Sequence, residues 1–281
     1  MRTFAGIPEE NAQYESSKVV LVPVTYDGTS TYGKGADKGP DAILDAAENM
    51  ELYDIETDSE AYLNGVYLAP TVTEDTSPEA MVEAVEKAIG SYLKDGKFVT
   101  MLGGEHSVSI GAMKAFHAKY PNLNVLQIDA HSDLRPEYQG TPNNHACAMH
   151  AIAKECNAVQ VGIRSMDTVE LPFVKKENFF TSYAIRSNPN WMQAVVDRLE
   201  GNVYITIDLD AFDPSIMPST GTPEPGGLLW NETLDLLKMV FKKCNVVGFD
   251  IVELAPIDSL SGPDFMAAKL YYKLISYKIH L

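Results

Sequence analysis

The chain has 281 residues, of which 45% are hydrophobic and 22% charged. That is an ordinary soluble composition, long enough to bury roughly 75% of its unfolded surface. A formal net charge of -17 at pH 7 argues against nucleic acid, whose phosphates require basic patches, and against docking on anionic membranes. A negative field favours cationic small molecules, although plain solubility also explains much of the charge.

No repeat, low-complexity tract or Ser/Gly-rich linker interrupts the chain, so one domain across residues 1–281 is expected. Cys147, Cys156 and Cys244 lack C-x-x-C pairing, which predicts inert thiols in a reducing, cytoplasmic setting. Pro8-Glu9-Glu10 precedes any apolar run of signal-peptide length, and no run of about 18 apolar residues is present to span a membrane.

In chain order, residues 19–24 form the first predicted strand, followed by the loop from Tyr26 to Gly35 and a helix entered through Gly39-Pro40. A second strand is predicted over 61–68. Met81, Val82, Val85, Ile89 and Leu93 then mark a helical stripe. The third strand, 98–102, runs into Gly103-Gly104-Glu105-His106-Ser107, with Ser107 expected to cap a helix over 108–120. The fourth, 123–128, runs into Asp129-Ala130-His131-Ser132-Asp133. Residues 159–163, 179–181, 203–207 and 246–252 supply four more strands, with helices over 191–199, 228–241 and 265–275. Alternation of this kind predicts a mostly parallel sheet covered on both faces, either an open three-layer sheet or a closed barrel.

The chemistry gathers at the strand ends. Asp129, His131 and Asp133 stand at i, i+2 and i+4, offsets that share one face of an extended chain. At the carboxyl end of a parallel strand they occupy the usual ligand position. Converging carboxylates repel unless a cation lies between them. Taken singly, each residue reads as a turn-capping Asp or an exposed His; taken together, they favour a divalent metal. His106 after the third strand and Asp208 and Asp210 after the seventh are each weak signals alone. Six candidate ligands are too many for one catalytic zinc, which takes about three. They suit two bridged metals roughly 3.5–4 Å apart. Oxygen-rich ligation with two imidazoles and no thiolate favours manganese over zinc or copper.

Two further groups fit the same mouth. His145 reads as a proton shuttle or a surface-loop histidine. Glu253 reads as a guanidinium acceptor or an ordinary paired carboxylate. Arg164 and Asp167 are expected to pair with each other. His117, His150 and His280 receive no role.

These motifs resemble the ureohydrolases, the family of arginase and agmatinase. The resemblance runs from Tyr26-Asp27-Gly28-Thr29 through the Gly103 and Asp129 motifs to Val161-Gly162-Ile163-Arg164. It continues in Asp208-Leu209-Asp210-Ala211-Phe212-Asp213-Pro214 and Thr220-Gly221-Thr222-Pro223-Glu224-Pro225-Gly226-Gly227. It implies a three-layer α/β/α fold on an eight-stranded, mainly parallel sheet, and a pair of Mn2+ ions. By the family pattern one ion is held by His106, Asp129, Asp133 and Asp208, the other by Asp129, His131, Asp208 and Asp210. His145 matches the family's proton-shuttling residue and Glu253 its guanidinium-binding residue. The implied reaction is attack of metal-activated hydroxide on a guanidinium, giving urea and an amine, in a trimer or hexamer.

Agmatine is the first choice of substrate, yielding putrescine. Glu224 and its loop, with Asp133-Leu134-Arg135 and Asn144-His145-Ala146-Cys147, resemble agmatinases. Asn144 departs from the usual Ser, and Met149-His150 replaces residues that are often basic. Arg135 would suit the carboxylate of guanidinobutyrate better than an ammonium group. Arginase and guanidinobutyrase are therefore the alternatives. A one-zinc amidohydrolase of the deacetylase type is a further one, opposed by His106 and Asp210, which it would leave idle. A metal-binding protein without activity is opposed by the completeness of the set.

Overall fold

The computed structural model describes residues 2–281. Eight strands, β1 (Val19–Pro23), β2 (Val66–Leu68), β3 (Phe98–Leu102), β4 (Asn124–Ile128), β5 (Asn157–Ile163), β6 (Phe179–Thr181), β7 (Asn202–Asp208) and β8 (Asn245–Val252), form one sheet. Its order is β2-β1-β3-β8-β7-β4-β5-β6, and every strand pairing is parallel. With β2 and β6 at opposite edges, the sheet is open and the barrel alternative falls away. Strands β1, β4 and β7 are buried along both faces, which explains why they read as mostly apolar runs rich in Val, Ile and Leu rather than as alternating ones. Within β1, Val19 and Leu21 enter one core, while Val20 and Val22 enter the other.

One core is closed by α1 (Gly39–Ala47), α5 (Ser182–Ser187), α6 (Trp191–Val196), α7 (Trp230–Lys243) and α8 (Gly262–His280). The opposite core is closed by α2 (Pro78–Lys94), α3 (Val108–Lys119) and α4 (Ile152–Glu155). The result is the expected three-layer α/β/α arrangement. Its helix starts follow local chemistry: Ser77 Oγ accepts the Ala80 amide at 3.1 Å, with Pro78 in the first turn of α2. All three cysteines are buried, and burial raises the Cys147 and Cys156 thiols to about 12 and about 11. Among the described residues, no helix is long and apolar enough to cross a membrane.

Several expectations need correction. Residues 61–68 are not one strand: a 3-10 turn, Ala61–Asn64, is followed by Gly65 at φ 80°, which leaves only three residues for β2. Ser107 does not cap α3; its own backbone is helical, and its hydroxyl donates to Glu105 at 2.6 Å instead. The last helix is longer than its apolar pattern predicts, starting at Gly262 and ending at His280. Short helices α4 and α5 lack the length for a periodic signal.

For the site, lateral order matters most. Strands β3, β8, β7 and β4 are consecutive in the middle of the sheet. Their carboxyl ends, widely separated in sequence, therefore open onto one place.

Candidate metal centre

His106 follows β3; Asp129, His131 and Asp133 follow β4; Asp208 ends β7 and Asp210 lies in the turn after it. All six converge. His106, Asp129 and Asp208 place one ligand atom each within 4.8 Å of the others, and so do Asp129, His131 and Asp210. Asp129 belongs to both groups. Asp133 joins the first, with Oδ2 3.0 Å from His106 Nδ1. The three residues after β4 do not share a flat strand face as expected. His131 Nδ1 lies 2.9 Å from Asp210 Oδ2, and Asp133, at φ 52°, turns to the other group.

Backbone amides hold the carboxylates before any ion arrives. The His131 amide donates to Asp129 Oδ1 at 2.5 Å, the Asp210 amide to Asp208 Oδ1 at 2.8 Å, and the Ala130 amide to Asp210 Oδ1 at 3.1 Å. His106 is fixed from behind: Thr206 Oγ1 donates to Asp250 Oδ1 at 2.6 Å and therefore accepts from His106 Nε2 at 2.9 Å. That leaves a lone pair at Nδ1, the form a metal requires. Nδ1 is buried and makes no hydrogen bond of good geometry, although carboxylate oxygens of Asp133, Asp129 and Asp208 stand at 3.0, 3.1 and 3.4 Å. An orphaned nitrogen facing three carboxylates fits a bound cation.

Electrostatics agree. Burial, then Asp133 and Asp210, push Asp129 up to about 7. Burial with Asp210 and Asp129 nearby raises Asp208 well above the carboxylate range. Burial opposes charge on His131, but Asp210 and Asp129 outweigh it and raise the ring to about 11. Burial opposes charge on Asp210 too, yet His131 holds it down to about 2. Without a metal, protons supply the positive charge these groups demand.

A cavity of about 290 Å³ opens over this His/Asp cluster and is also lined by Glu253 and His145. Glu253 follows β8 at φ 67°, a left-handed conformation rare outside glycine and typical of functional positions. Its Oε1 accepts the His106 amide at 2.7 Å. Burial, then the neighbouring Glu105, raises its pKa well above the ordinary value. His145 begins a 3-10 turn, and burial lowers its pKa. Its Nδ1 lies 3.2 Å from Thr29 Oγ1.

Arg164 and Asp167 do not pair. Arg164 donates to the carbonyls of Asp210 at 2.6 Å and Glu224 at 2.8 Å, tying two site loops together. Asp167 receives Arg135 Nη2 at 3.1 Å, and the Arg135 guanidinium sits 4.7 Å above the Tyr138 ring. Arg135 is thus a neutralised cation at the cavity wall. Thr29, Glu105, Thr206 and Asp250 escaped the sequence reading because each reaches a site histidine, directly or through a threonine, only by contacts between segments far apart in the chain. Glu105 alone carried a signal, as a charged residue beside a glycine pair at a buried strand end.

A sequence model described as the arginase family matches residues 17–276. The N(1)-aminopropylagmatine ureohydrolase of Synechocystis sp. is 37% identical, the match covering 96% of this chain and 92% of that protein. An agmatinase from Halalkalibacterium halodurans is 34% identical, with 93% and 92% covered. Among solved structures, the agmatine ureohydrolase of Thermoplasma volcanium has a TM-score of 0.88 at 30% identity, covering 100% of this chain and 95% of that one. With sequence, fold and clustered His and Asp side chains in agreement, this chain belongs to the arginase family.

Proposed function

We propose that this protein hydrolyses the guanidinium of agmatine, or of agmatine extended by an aminopropyl group, to urea and the corresponding amine. The second substrate enters because relatives named for it are at least as similar as the agmatinases. The observation that carries the reading is the convergence of two His/Asp groups, Glu253 and His145 on a single cavity. Arg135 supports a cationic tail over a carboxylate one, since Asp167 already occupies its charge.

His106, Asp129, Asp133 and Asp208 would hold one Mn2+, and Asp129, His131, Asp208 and Asp210 the other. Bound there, the pair supplies a water of lowered pKa and positive charge opposite the developing anion. Glu253 spends one lone pair on the His106 amide, leaving both oxygens able to accept paired N–H groups of a planar guanidinium. That contact aims the central carbon at the ligand groups. His145 gives a proton to the departing amine, which would otherwise leave as a strongly basic anion. One water is consumed, the bond between the guanidinium carbon and the nitrogen that bears the alkyl chain breaks, and urea and an ammonium product result.

The same proposal includes a cytoplasmic homo-oligomer. The exposed Tyr53, Ile55 and Phe265 border one groove that offers it an apolar face.

Urea release with added Mn2+ tests the reading. Agmatine and N(1)-aminopropylagmatine should both far exceed arginine and 4-guanidinobutyrate at equal concentration. A reversed ranking refutes the substrate assignment. His145→Ala should lower kcat by roughly 10²- to 10⁴-fold while sparing metal content.

A further inference from the structure

Glu105 is fully buried yet is neither a ligand in the metal reading nor a substrate contact in the mechanism. The imidazole of His145 is close to it, with Nδ1 3.8 Å from Oε2. Thr29 stands between them. Its Oγ1 donates to Glu105 Oε2 at 2.8 Å, accepts the His145 amide at 3.1 Å, and lies 3.2 Å from His145 Nδ1.

A hydroxyl has one proton and two lone pairs. The proton is committed to Glu105, whose other oxygen takes the Ser107 hydroxyl at 2.6 Å. One lone pair holds the His145 amide. The remaining lone pair requires a donor, so Nδ1 must carry the hydrogen. Nε2 is then the nitrogen that gains and loses a proton at the cavity.

We infer that Glu105, acting through Thr29, is a positioning residue that fixes the tautomer and ring orientation of His145. The inference rests on His145 being the proton donor of the proposed reaction. The chain of contacts places a carboxylate behind a histidine with a threonine interposed, as Asp250 and Thr206 do behind His106. In serine-protease triads a carboxylate bonded directly to the histidine sets its tautomer, and losing it there costs about 10⁴ in kcat. An interposed hydroxyl weakens the coupling.

The test is steady-state kinetics on the Mn2+-loaded enzyme, with metal content and melting temperature measured for each variant. Thr29→Val preserves shape while removing the relay hydroxyl, and Glu105→Gln preserves shape while removing the charge behind it. Each should lower kcat by roughly 10- to 100-fold, part of what a positioned acid supplies, with KM and metal content unchanged. Thr29→Ser, which keeps the hydroxyl, should recover most of kcat. In the His145→Ala background, Thr29→Val should add no further loss, because the two would act as a unit. The inference is overturned if Thr29→Val keeps full kcat while His145→Ala is nearly silent. It is equally overturned if Thr29→Ser is as poor as Val, or if the variants lose metal. Full turnover in His145→Ala alone would instead sink the proton-donor reading.

Discussion

A guanidinium beside a cleft either binds an anion or is itself bound, and Arg135 is bound. Asp167 takes Nη2, Glu170 lies 3.9 Å from Nε, and Tyr138 covers one face. Replacing Asp167 with Asn would leave the Arg135 charge at the mouth with only the more distant Glu170 to offset it. Agmatine should then lose roughly two- to five-fold in kcat/KM, the scale of a solvent-facing charge pair, and 4-guanidinobutyrate should gain. The change should shrink as salt is raised, because exposed charges are screened. An unchanged ratio between the two substrates would mean that Arg135 does not face the substrate tail. The partner of Asp167 was not legible in the sequence for a simple reason. Arg164 is only three residues away, but spacing implies contact only on a continuous helix. Here β5 has just ended, so the nearer residue in the chain points elsewhere.

At the level of elements, the site depends on three loops crossing at Gly104. Its carbonyl accepts the Glu253 amide at 2.8 Å, while the next amide, of Glu105, donates to the Tyr26 carbonyl at 2.9 Å. A Cβ at Gly104 would fall 2.0 Å from that carbonyl oxygen, and the obstacle is backbone that cannot rotate away. Gly104→Ala should therefore separate the loops after β1, β3 and β8. We expect a loss of roughly 1–3 kcal/mol in urea unfolding, the usual cost of overpacking, together with weaker metal retention because His106 shifts with the loop. The strand ends themselves were legible, since buried parallel strands read as apolar runs and their polar termini stand out. Their side-by-side order was not, because β3, β4, β7 and β8 become neighbours through non-local pairing. Periodicity also stops at the strand end: the assumption that Asp129, His131 and Asp133 stay extended fails at the left-handed Asp133.

Across the whole molecule, the charge of -17 includes a small buried portion with a disproportionate effect on stability. In the metal-free protein burial, with Asp133 and Asp210 nearby, raises Asp129 to about 7, while Asp210 and Asp129 raise His131 to about 11 against a burial that opposes its charge. The folded state thus keeps protons that the unfolded state has released above about pH 4 for an Asp and about pH 6.5 for a His. Stability must fall as pH rises wherever the folded state binds more protons. His145, lowered by burial, acts in the opposite sense but is a single group. Asp210 and Glu56, both held down to about 2, change protonation only at more acid pH. Chelated protein should therefore melt at progressively lower temperature between about pH 5 and about pH 8. Metal-loaded protein should show the reverse trend, because ligands must shed protons to bind the ions. At a hundredfold excess of Mn2+ over Kd each site adds about 2.7 kcal/mol, which for a chain of this size is roughly 5–10 °C in Tm. The gap between the two melting curves should widen with pH. Parallel curves would mean that these carboxylates and imidazoles do not share an ion, and with that the proposed chemistry would lose its basis.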